Sequence, residues 1–371
     1  MAKLKILTEP ELRKKYTGDK ASNLISYYDN SLRLPSRCLW LNWQLGGGTP
    51  YGKILEIFGY ESTGKSLLAL DFAYTTQALG GIVLWADIED CFDSRWAKEN
   101  GLDPERIELY LGNDIEGFSD WARDMILFYR SKLIHNEPIL LVCDSIAALE
   151  CLDNINSDQL NSKAEMGNRA KIIYRMYRTR NKLFSQYGVS IIMINQVRKK
   201  VGASMFEASE TTPGGDATKF FASQRLALIR STQIKGLIKE GEFIEDKSNG
   251  IKIGQNVIVR VEKNKTSFPK HSVKTEVYFL PTKSGYVGFS RYMGFDEILL
   301  EHKIIIKQGN SYVYKKKKET ITLCVGRDNI LKEIEKNEDA RAFFIRKLDI
   351  NTISKTREKL AALKINLYKI K

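Results

Sequence analysis

The chain has 371 residues, of which 43% are hydrophobic and 28% are charged, a balance typical of a globular protein rather than a disordered one. Its 58 Lys and Arg residues outnumber its 45 Asp and Glu residues, and the formal net charge of +13 favours a polyanionic partner or an acidic membrane surface. The five cysteines are widely spaced and the three histidines are isolated, so neither a disulfide framework nor a zinc site is expected. No signal peptide and no apolar run of about 18 residues occurs, and we expect a soluble, cytoplasmic protein without a membrane partner.

The first 32 residues form a charged lead-in. Thr8 and Glu11 have the spacing of a capping box, which predicts a short helix through about Tyr16. Residues 1–32 could be a terminal appendage, but we assign them as an N-terminal oligomerisation segment that docks on a neighbouring subunit. Residues 37–45 then form an amphipathic segment, and the glycines at 46–48 predict a turn into the first core strand.

The stretch at 54–66 predicts a phosphate-binding loop. Residues 54–58 indicate a short buried strand, residues 67–73 have a helical apolar stripe, and the loop between them fits G-x-x-x-x-G-K-[ST]. Backbone N–H groups and a helix N-terminus can face a polyphosphate in such a loop. Lys65 would reach the β- and γ-phosphates, and the Ser66 hydroxyl would bind Mg²⁺. The predicted nucleotide-binding residues of this loop are Gly59, Tyr60, Glu61, Ser62, Thr63, Gly64, Lys65 and Ser66.

Strands and helices alternate through the next 130 residues. The predicted strands are 81–89, 139–144 and 189–196, and the predicted helices are 94–100, 118–133 and 163–187. This alternation predicts a parallel sheet covered by helices, with ligands at the carboxyl ends of its strands. Glu89, Asp144 and Gln196 all occur at such ends.

The later part of the chain changes character. Residues 220–230, 256–263 and 274–280 predict strands of an antiparallel extension, with a polar excursion at 231–254. Beyond about residue 281 a small α+β C-terminal domain is expected, which includes a helix at 329–348 and a basic, helical tail. The predicted division is therefore 1–32, 33–281 and 282–371.

The acidic strand ends are suited to phosphoryl transfer to water. That reaction needs Mg²⁺ on the phosphates, an oriented water and positive charge at the transition state. Asp144 has the position of the carboxylate that holds the metal, and Glu89 is the candidate for polarising the water. The alternative for either carboxylate is an N-cap of the helix that follows.

The sequence resembles the RecA family of homologous-recombination ATPases from about residue 30 to about residue 348. The stretches that carry the resemblance are 52–66, Asp87-Ile88-Glu89 followed by Asp93, Trp96 and Gly101, then 143–149, 194–198, 211–223 and 261–265. The resemblance implies a RecA-like P-loop ATPase core, with a mostly parallel twisted sheet, that binds ATP and Mg²⁺.

Site residues follow from the same resemblance. It implies that Glu89, Lys65, Gln196, Lys263 and Lys265 act in catalysis, the last two on the ATP of the adjacent subunit. Gln196 would sense the γ-phosphate. Beyond the phosphate loop, Trp96 would stack on adenine, where the family normally has Tyr, and Asp93 would also contact ATP. Ser66 and Asp144 would serve the metal.

Two DNA-binding loops are implied, at about 153–169 and 197–215. Their basic groups can neutralise phosphates, a Phe can wedge at a base step, and glycines allow close backbone approach. The residues expected to contact DNA are Met166, Gly167, Asn168, Arg169, Lys171 and Arg178 in and behind the first loop, and Arg198, Lys199, Lys200, Phe206, Thr211, Gly214 and Gly215 in the second.

The implied function is a DNA-dependent ATPase that forms helical filaments on single-stranded DNA and exchanges strands with a homologous duplex, in a bacterial or phage-infected cytoplasm. Single-strand-binding and loader proteins are expected partners. The basic tail, where bacterial members carry an acidic one, suggests that self-inhibition by a tail is absent. Two alternatives stay open: a hexameric helicase, which usually has an arginine rather than Lys263 and Lys265 in the adjacent-subunit position, and a recombination mediator that hydrolyses little ATP.

Overall fold

A computed structural model describes residues 32–133, 137–155, 163–199, 210–211, 216–239, 242–245, 250–267, 272–280 and 287–348. The expectations for residues 1–31 and for the tail at 349–371 lie outside the described residues. The division into an N-terminal segment, a core and a C-terminal domain stays a prediction.

The described chain alternates strands and helices up to about residue 220 and is mainly strand thereafter. The strands are β1 (Arg33–Leu34), β2 (Thr49–Pro50), β3 (Ile54–Gly59), β4 (Ile82–Asp87), β5 (Ile107–Tyr110), β6 (Ile139–Asp144), β7 (Val189–Gln196), β8 (Arg198–Lys199), β9 (Glu210–Thr211), β10 (Gln224–Lys239), β11 (Glu242–Glu245), β12 (Ile251–Asn264), β13 (Val273–Tyr278), β14 (Gly288–Phe289), β15 (Ile306–Gln308), β16 (Ser311–Lys316) and β17 (Glu319–Val325). The helices are α1 (Leu39–Leu45), α2 (Lys65–Ala78), α3 (Ser94–Glu99), α4 (Ile115–Lys132), α5 (Leu152–Ile155), α6 (Lys163–Gln186), α7 (Ala217–Phe221), α8 (Phe295–Glu301), α9 (Ile330–Lys336) and α10 (Glu338–Lys347).

One large mixed sheet organises the chain, in the strand order β14-β13-β12-β10-β3-β7-β6-β4-β5, with β11 paired to β10. The strands from β10 to β5 pair in parallel, and β12, β13 and β14 continue the sheet in antiparallel pairing. Helix α2 packs on one face, whereas α4 and α6 pack on the other. Such coverage explains the almost wholly apolar β6, because a strand buried on both faces has no polar side. The predicted α/β fold class is confirmed.

Three local predictions were wrong. Residues 37–45 are not amphipathic, because every residue of α1 is buried between the sheet and the C-terminal elements. Residues 220 and 221, which were predicted to begin a strand, end the helix α7. The polar stretch at 231–254 is largely strand, because β10 and β12 pair with each other through it and satisfy their backbone groups irrespective of side-chain polarity.

The residues from 287 to 348 pack against the core rather than apart from it. Strands β15, β16 and β17 form a small antiparallel sheet, against which α10 places Phe343 and Phe344 around Tyr314. These rings belong to the same apolar cluster as α1 and α2. Across the described residues, no helix combines the length and the hydropathy that a bilayer crossing requires.

A buried ion pair fixes α2 to the segment that precedes α1. The Arg37 guanidinium donates to the Asp71 carboxylate at 2.5 Å and to the Asn100 carbonyl at 2.9 Å. The Cys38 thiol also donates to Asp71, at 3.1 Å. Asp71 lies on the helix that begins at Lys65, so this pair sets the orientation of the helix on which the phosphate loop ends.

We expect Arg37→Met to lower the free energy of unfolding by about 3 kcal/mol, because it removes the guanidinium that donates to the buried Asp71 carboxylate. The control is Arg123→Met, which breaks exposed pairs with Asp120 and Asp124 and should cost less than about 1 kcal/mol. Urea denaturation of the two variants measures both values. Equal shifts of the two midpoints would contradict a special role for the buried pair.

Candidate active site and nucleic-acid interface

The loop between β3 and α2 has the backbone of a phosphate-binding loop. Gly64, which precedes the first residue of α2, has φ of 92°, a conformation that other residues rarely adopt. A Cβ at Gly59 would come within 2.4 Å of the Leu228 carbonyl oxygen. Both glycines of the motif are therefore required by the geometry.

The Lys65 ammonium folds back over this loop. It donates to the Tyr60 carbonyl at 2.8 Å and to the Gly59 carbonyl at 3.2 Å. Burial lowers the pKa of Lys65, and the neighbouring carboxylates of Asp144 and Glu89 oppose that effect. The loop thus holds a largely buried ammonium at the N-terminus of α2, where the helix dipole adds to its attraction for an anion.

Asp144 faces Ser66 at the start of α2. Burial raises the pKa of Asp144 to about 6, an effect that Glu89 reinforces and that a hydrogen bond with the Ser66 side chain opposes. A cation beside this carboxylate would favour its charged form. The hydroxyl and the carboxylate supply oxygen donors, the type that Mg²⁺ takes, so these two residues fit the predicted metal site.

The Glu89 carboxylate is held by two side chains from neighbouring strand ends. Its Oε1 accepts a hydrogen bond from Gln196 Nε2 at 3.0 Å and a second one from Ser145 Oγ. Because β4, β6 and β7 are parallel neighbours, their carboxyl ends meet at one edge of the sheet. The predicted convergence of Glu89, Asp144 and Gln196 is thereby observed.

Behind Gln196 lies a buried polar network that the sequence did not indicate. The Asn195 side chain accepts from the Gln196 backbone N–H and donates to Glu56 Oε1, both at 3.0 Å. Glu56 is fully buried and forms an ion pair with Arg225, whose guanidinium lies 4.5 Å from the centre of the Phe58 ring. The network therefore joins the end of β7, through β3, to the start of β10.

Lys65, Ser66, Glu89, Asp144 and Gln196 line a cleft of about 440 Å³ at the carboxyl edge of the sheet. Trp96 lines it, and its role in stacking on adenine stays a prediction. Asp93 instead caps α3, where its carboxylate accepts from the Arg95 and Trp96 backbone N–H groups at 2.8 and 3.3 Å; those bonds lower the pKa of Asp93. Four lining residues were not predicted, namely Leu67, Ile194, Lys252 and Phe279.

Lys263 and Lys265 lie elsewhere. The Lys263 ammonium donates to the carbonyl oxygens of Lys219 and Phe220 at the end of α7, at 2.5 and 3.2 Å. Burial and the charge of Lys265 lower the pKa of Lys263. Neither lysine lines the cleft of its own chain among the described residues.

The predicted DNA-binding residues divide between α6 and the second loop. Gly167, Lys171 and Arg178 are exposed on α6, and Asn168 is half-buried. Arg169 donates to the Ile146 and Ala147 carbonyl oxygens, at 3.1 and 2.6 Å. The Met166 backbone belongs to α6, but its side chain lies outside the described residues.

The ends of the second loop come together as a two-stranded ribbon. Arg198, two positions after the last residue of β7, pairs with Thr211, and Lys199 pairs with Glu210. The four remaining predicted contacts lie outside the described residues: Lys200, Phe206, Gly214 and Gly215. The ribbon shows that the loop leaves and returns next to Gln196.

A groove beside α6 contains aromatic residues that the sequence analysis missed. Tyr174 and Arg175 share one exposed face of α6 with Lys171 and Arg178, and they line a groove of about 650 Å³ with Phe220 of α7. Tyr174 is 45% exposed and Phe220 is 64% exposed. The spacing of i, i+3, i+4 and i+7 in the helix was the available signal.

Taken together, the phosphate loop between a parallel strand and a helix, and the acidic ends of the neighbouring strands, define a P-loop nucleotide hydrolase. The RecA N-terminal domain family matches residues 17–282. The chain is 31% identical to Protein RecA of Aquifex aeolicus (strain VF5) over 82% of this chain and 80% of that protein. It is 29% identical to Protein RecA of Malacoplasma penetrans (strain HF-2) over 89% of this chain and 90% of that protein. It is 32% identical to DNA repair protein recA homolog 1, chloroplastic, of Arabidopsis thaliana over 81% of this chain and 62% of that protein. The chain belongs to the RecA family, and it is an ATP-hydrolysing recombinase.

Asn195→Ala should lower the ATP turnover rate by about tenfold while leaving nucleotide affinity within about twofold, because the side chain positions Gln196 and Glu56 but does not line the cleft. The matched control is Ser190→Ala on the same strand. Ser190 Oγ is buried and has no hydrogen-bond partner among the described residues, so its removal should change neither value. Steady-state kinetics with a separate binding titration checks both. A loss of affinity without a loss of turnover would refute the positioning role.

Proposed function

We propose that this chain binds Mg²⁺·ATP in the cleft, polymerises on single-stranded DNA, and pairs that strand with a homologous duplex. The observation that carries the proposal is the contact of Glu89 with Gln196. It joins the candidate water-polarising carboxylate to the strand from which the second DNA loop departs. The bacterial or phage-infected cytoplasm, where such DNA occurs, is the proposed site of action, and single-strand-binding and loader proteins are the proposed partners.

In the proposed nucleotide complex, Lys65 leaves the loop carbonyls and contacts the β- and γ-phosphates. The backbone N–H groups of the loop and the N-terminus of α2 hold the remaining phosphate oxygens. Ser66 and Asp144 hold Mg²⁺, which when bound neutralises charge on the phosphates. Trp96 stacks on the base, and Asp93 supports Trp96 by capping α3.

Glu89 is the proposed general base. Its two hydrogen bonds fix the carboxylate in one orientation. A water that donates a hydrogen bond to this fixed carboxylate would therefore be oriented for attack. A γ-phosphate that attracts the Gln196 amide would change the Glu89 contact and, through the chain, the start of the second loop. This is a direct physical route between nucleotide state and DNA contact.

The proposed trans role of Lys263 and Lys265 is supported by where they lie along the sheet. Lys263 pairs with Arg225, which is level with Glu56 in β3, and Lys265 donates its backbone N–H to Ser223. Glu56 lies three residues before Gly59, or about 10 Å along the strand. The lysines therefore lie toward the amino end of β3, away from the phosphate loop of the same chain. Only a second protomer would then bring them to a nucleotide, where they would stabilise the transition state.

The groove beside α6 is the proposed floor of the DNA site. Its basic groups suit phosphates, and its exposed aromatic rings suit unstacked bases. Both predicted loops end at this groove, the first at the N-terminal half of α6 and the second at Asp216. A single strand lying here would contact both loops at once.

The nucleotide proposal is tested with Glu89→Gln. We expect at least about a 100-fold loss of ATP turnover with nucleotide affinity retained, because the amide still accepts from Ser145 but cannot take a proton. Single-turnover hydrolysis and a binding titration give the two values. Unchanged turnover would remove Glu89 from the mechanism.

The DNA proposal is tested with Tyr174→Ala. Affinity for single-stranded DNA should fall about tenfold, since a stacking contact contributes about 1–3 kcal/mol, and the salt dependence should not change because no charge is lost. Lys171→Met should instead reduce the salt slope by about 0.7. The control Phe128→Ala removes an exposed ring on α4 that lies under the Lys132 ammonium, and it should have no effect. If Tyr174→Ala weakened DNA-free self-association and not DNA binding, the groove would be a subunit contact instead.

A further inference from the structure

The hairpin of β10 and β12 projects beyond the edge of the sheet at which the cleft lies. Strand β10 pairs with β3 only as far as Leu228 and Gly59, where β3 ends. It then continues to Lys239, and β12 returns from Ile251. The projecting part holds the phosphate loop from outside, because Arg230 donates to the Glu61 carbonyl and Gln255 to the Ser62 carbonyl, at 2.5 and 2.6 Å.

An irregularity in this hairpin turns Lys252 toward the phosphate loop. Ile234 pairs with Gly254, but the next residue, Lys235, pairs with Lys252, so Ile253 has no partner in β10. Residues that pair directly lie on the same face of a sheet, and one extra residue reverses the alternation beyond it. Lys252 therefore shares the face of Gln255, whose side chain contacts the phosphate loop. Without the extra residue, Lys252 would lie on the opposite face.

Lys252 lines the nucleotide cleft together with Phe279 of the adjacent segment. Its ammonium lies 5.1 Å from the centre of the Phe279 ring. Among the described residues that line the cleft, the carboxylates belong to Glu61, Glu89 and Asp144, and the cations are Lys65 and Lys252 alone. A nucleoside triphosphate brings several further negative charges, and the Lys252 ammonium supplies positive charge in addition to that of Lys65 and a metal ion.

The strand order places Lys252 on the side of the cleft away from the catalytic carboxylates. Strand β12 lies two strands to one side of β3, whereas β6 and β4, which carry Asp144 and lead to Glu89, lie on the other side. Strands are about 4.8 Å apart, which puts β12 about 10 Å from β3. Lys65 and the carboxylates face the β- and γ-phosphates, so the α-phosphate is the phosphate left for Lys252 on the opposite wall of the cleft.

We propose that Lys252 is a second nucleotide-binding cation, which donates to the α-phosphate of the nucleotide held by its own protomer while Phe279 packs along its side chain. This inference rests on the proposed function of the cleft. It adds a contact made in cis, by an element that the sequence predicts as a polar excursion. Its role is affinity, because the α-phosphate does not gain charge during transfer of the γ-phosphoryl group.

The test measures binding of fluorescent ADP and ATP analogues, each with Mg²⁺, to the unaltered protein and to three variants. Lys252→Met should raise the dissociation constants of both nucleotides by the same factor, about five- to tenfold, because both carry the α-phosphate and the contact is partly exposed. Lys252→Arg should retain most of the affinity. Lys235→Met is the matched control, since Lys235 lies directly opposite Lys252 on the same face but outside the set of described residues that line the cleft.

If Lys252→Met and Lys235→Met weakened nucleotide binding equally, the overall positive charge of the hairpin rather than a specific Lys252 contact would explain the affinity. That result would overturn the inference. A loss for the ATP analogue alone would place the ammonium at the γ-phosphate, which also contradicts it. Unchanged affinity in Lys252→Met, with normal binding by the unaltered protein, would overturn the inference and leave the proposed function in place. Failure of the unaltered protein to bind either nucleotide would overturn the proposed function, and this inference with it.

Discussion

The hydrogen bonds of Gln196 and Ser145 to Glu89 are the contacts on which the account of this protein depends. They bring together side chains from the ends of three strands, and they do so beside a largely buried ammonium and a half-buried acidic side chain. Buried groups of this kind are costly unless each has a partner, so the arrangement has little freedom to relax. Both hydrogen bonds end on Glu89 Oε1, so a ligand that moves this carboxylate alters both of them.

The same constraint extends through the sheet. Glu56 is fully buried between Asn195 and Arg225, and Arg225 pairs in register with Lys263. Lys263 in turn donates to carbonyl oxygens at the end of α7, the helix that follows the predicted second DNA-binding loop. A continuous set of contacts thus runs from the nucleotide side of one protomer to the residues proposed to act on the next protomer. Because each neighbour in it is packed or bonded, it is a physical candidate for coupling DNA capture to hydrolysis.

Local patterns were sufficient to predict the centre of the site and not its surroundings. The phosphate loop and the strand ends at Glu89 and Gln196 follow from short-range spacing and apolar runs, which act within a few residues. The ion pair of Glu56 with Arg225 joins residues 169 positions apart, and no local pattern reports it. Lys252 reaches the cleft only through one extra residue in a long-range strand pairing. The polar sequence of that hairpin did not indicate strands, because backbone pairing rather than side-chain polarity determines the structure of the hairpin.

The central claim is that Lys263 and Lys265 of one protomer complete the catalytic site around the nucleotide that the adjacent protomer binds. The most direct measurement mixes two inactive proteins, Glu89→Gln and the double variant Lys263→Ala/Lys265→Ala, in equal amounts on single-stranded DNA. Random head-to-tail assembly gives about a quarter of the interfaces an intact cleft facing intact lysines, so ATP turnover should recover to about a quarter of the unaltered rate. Turnover that stays at the average of the two separate variants would contradict the claim.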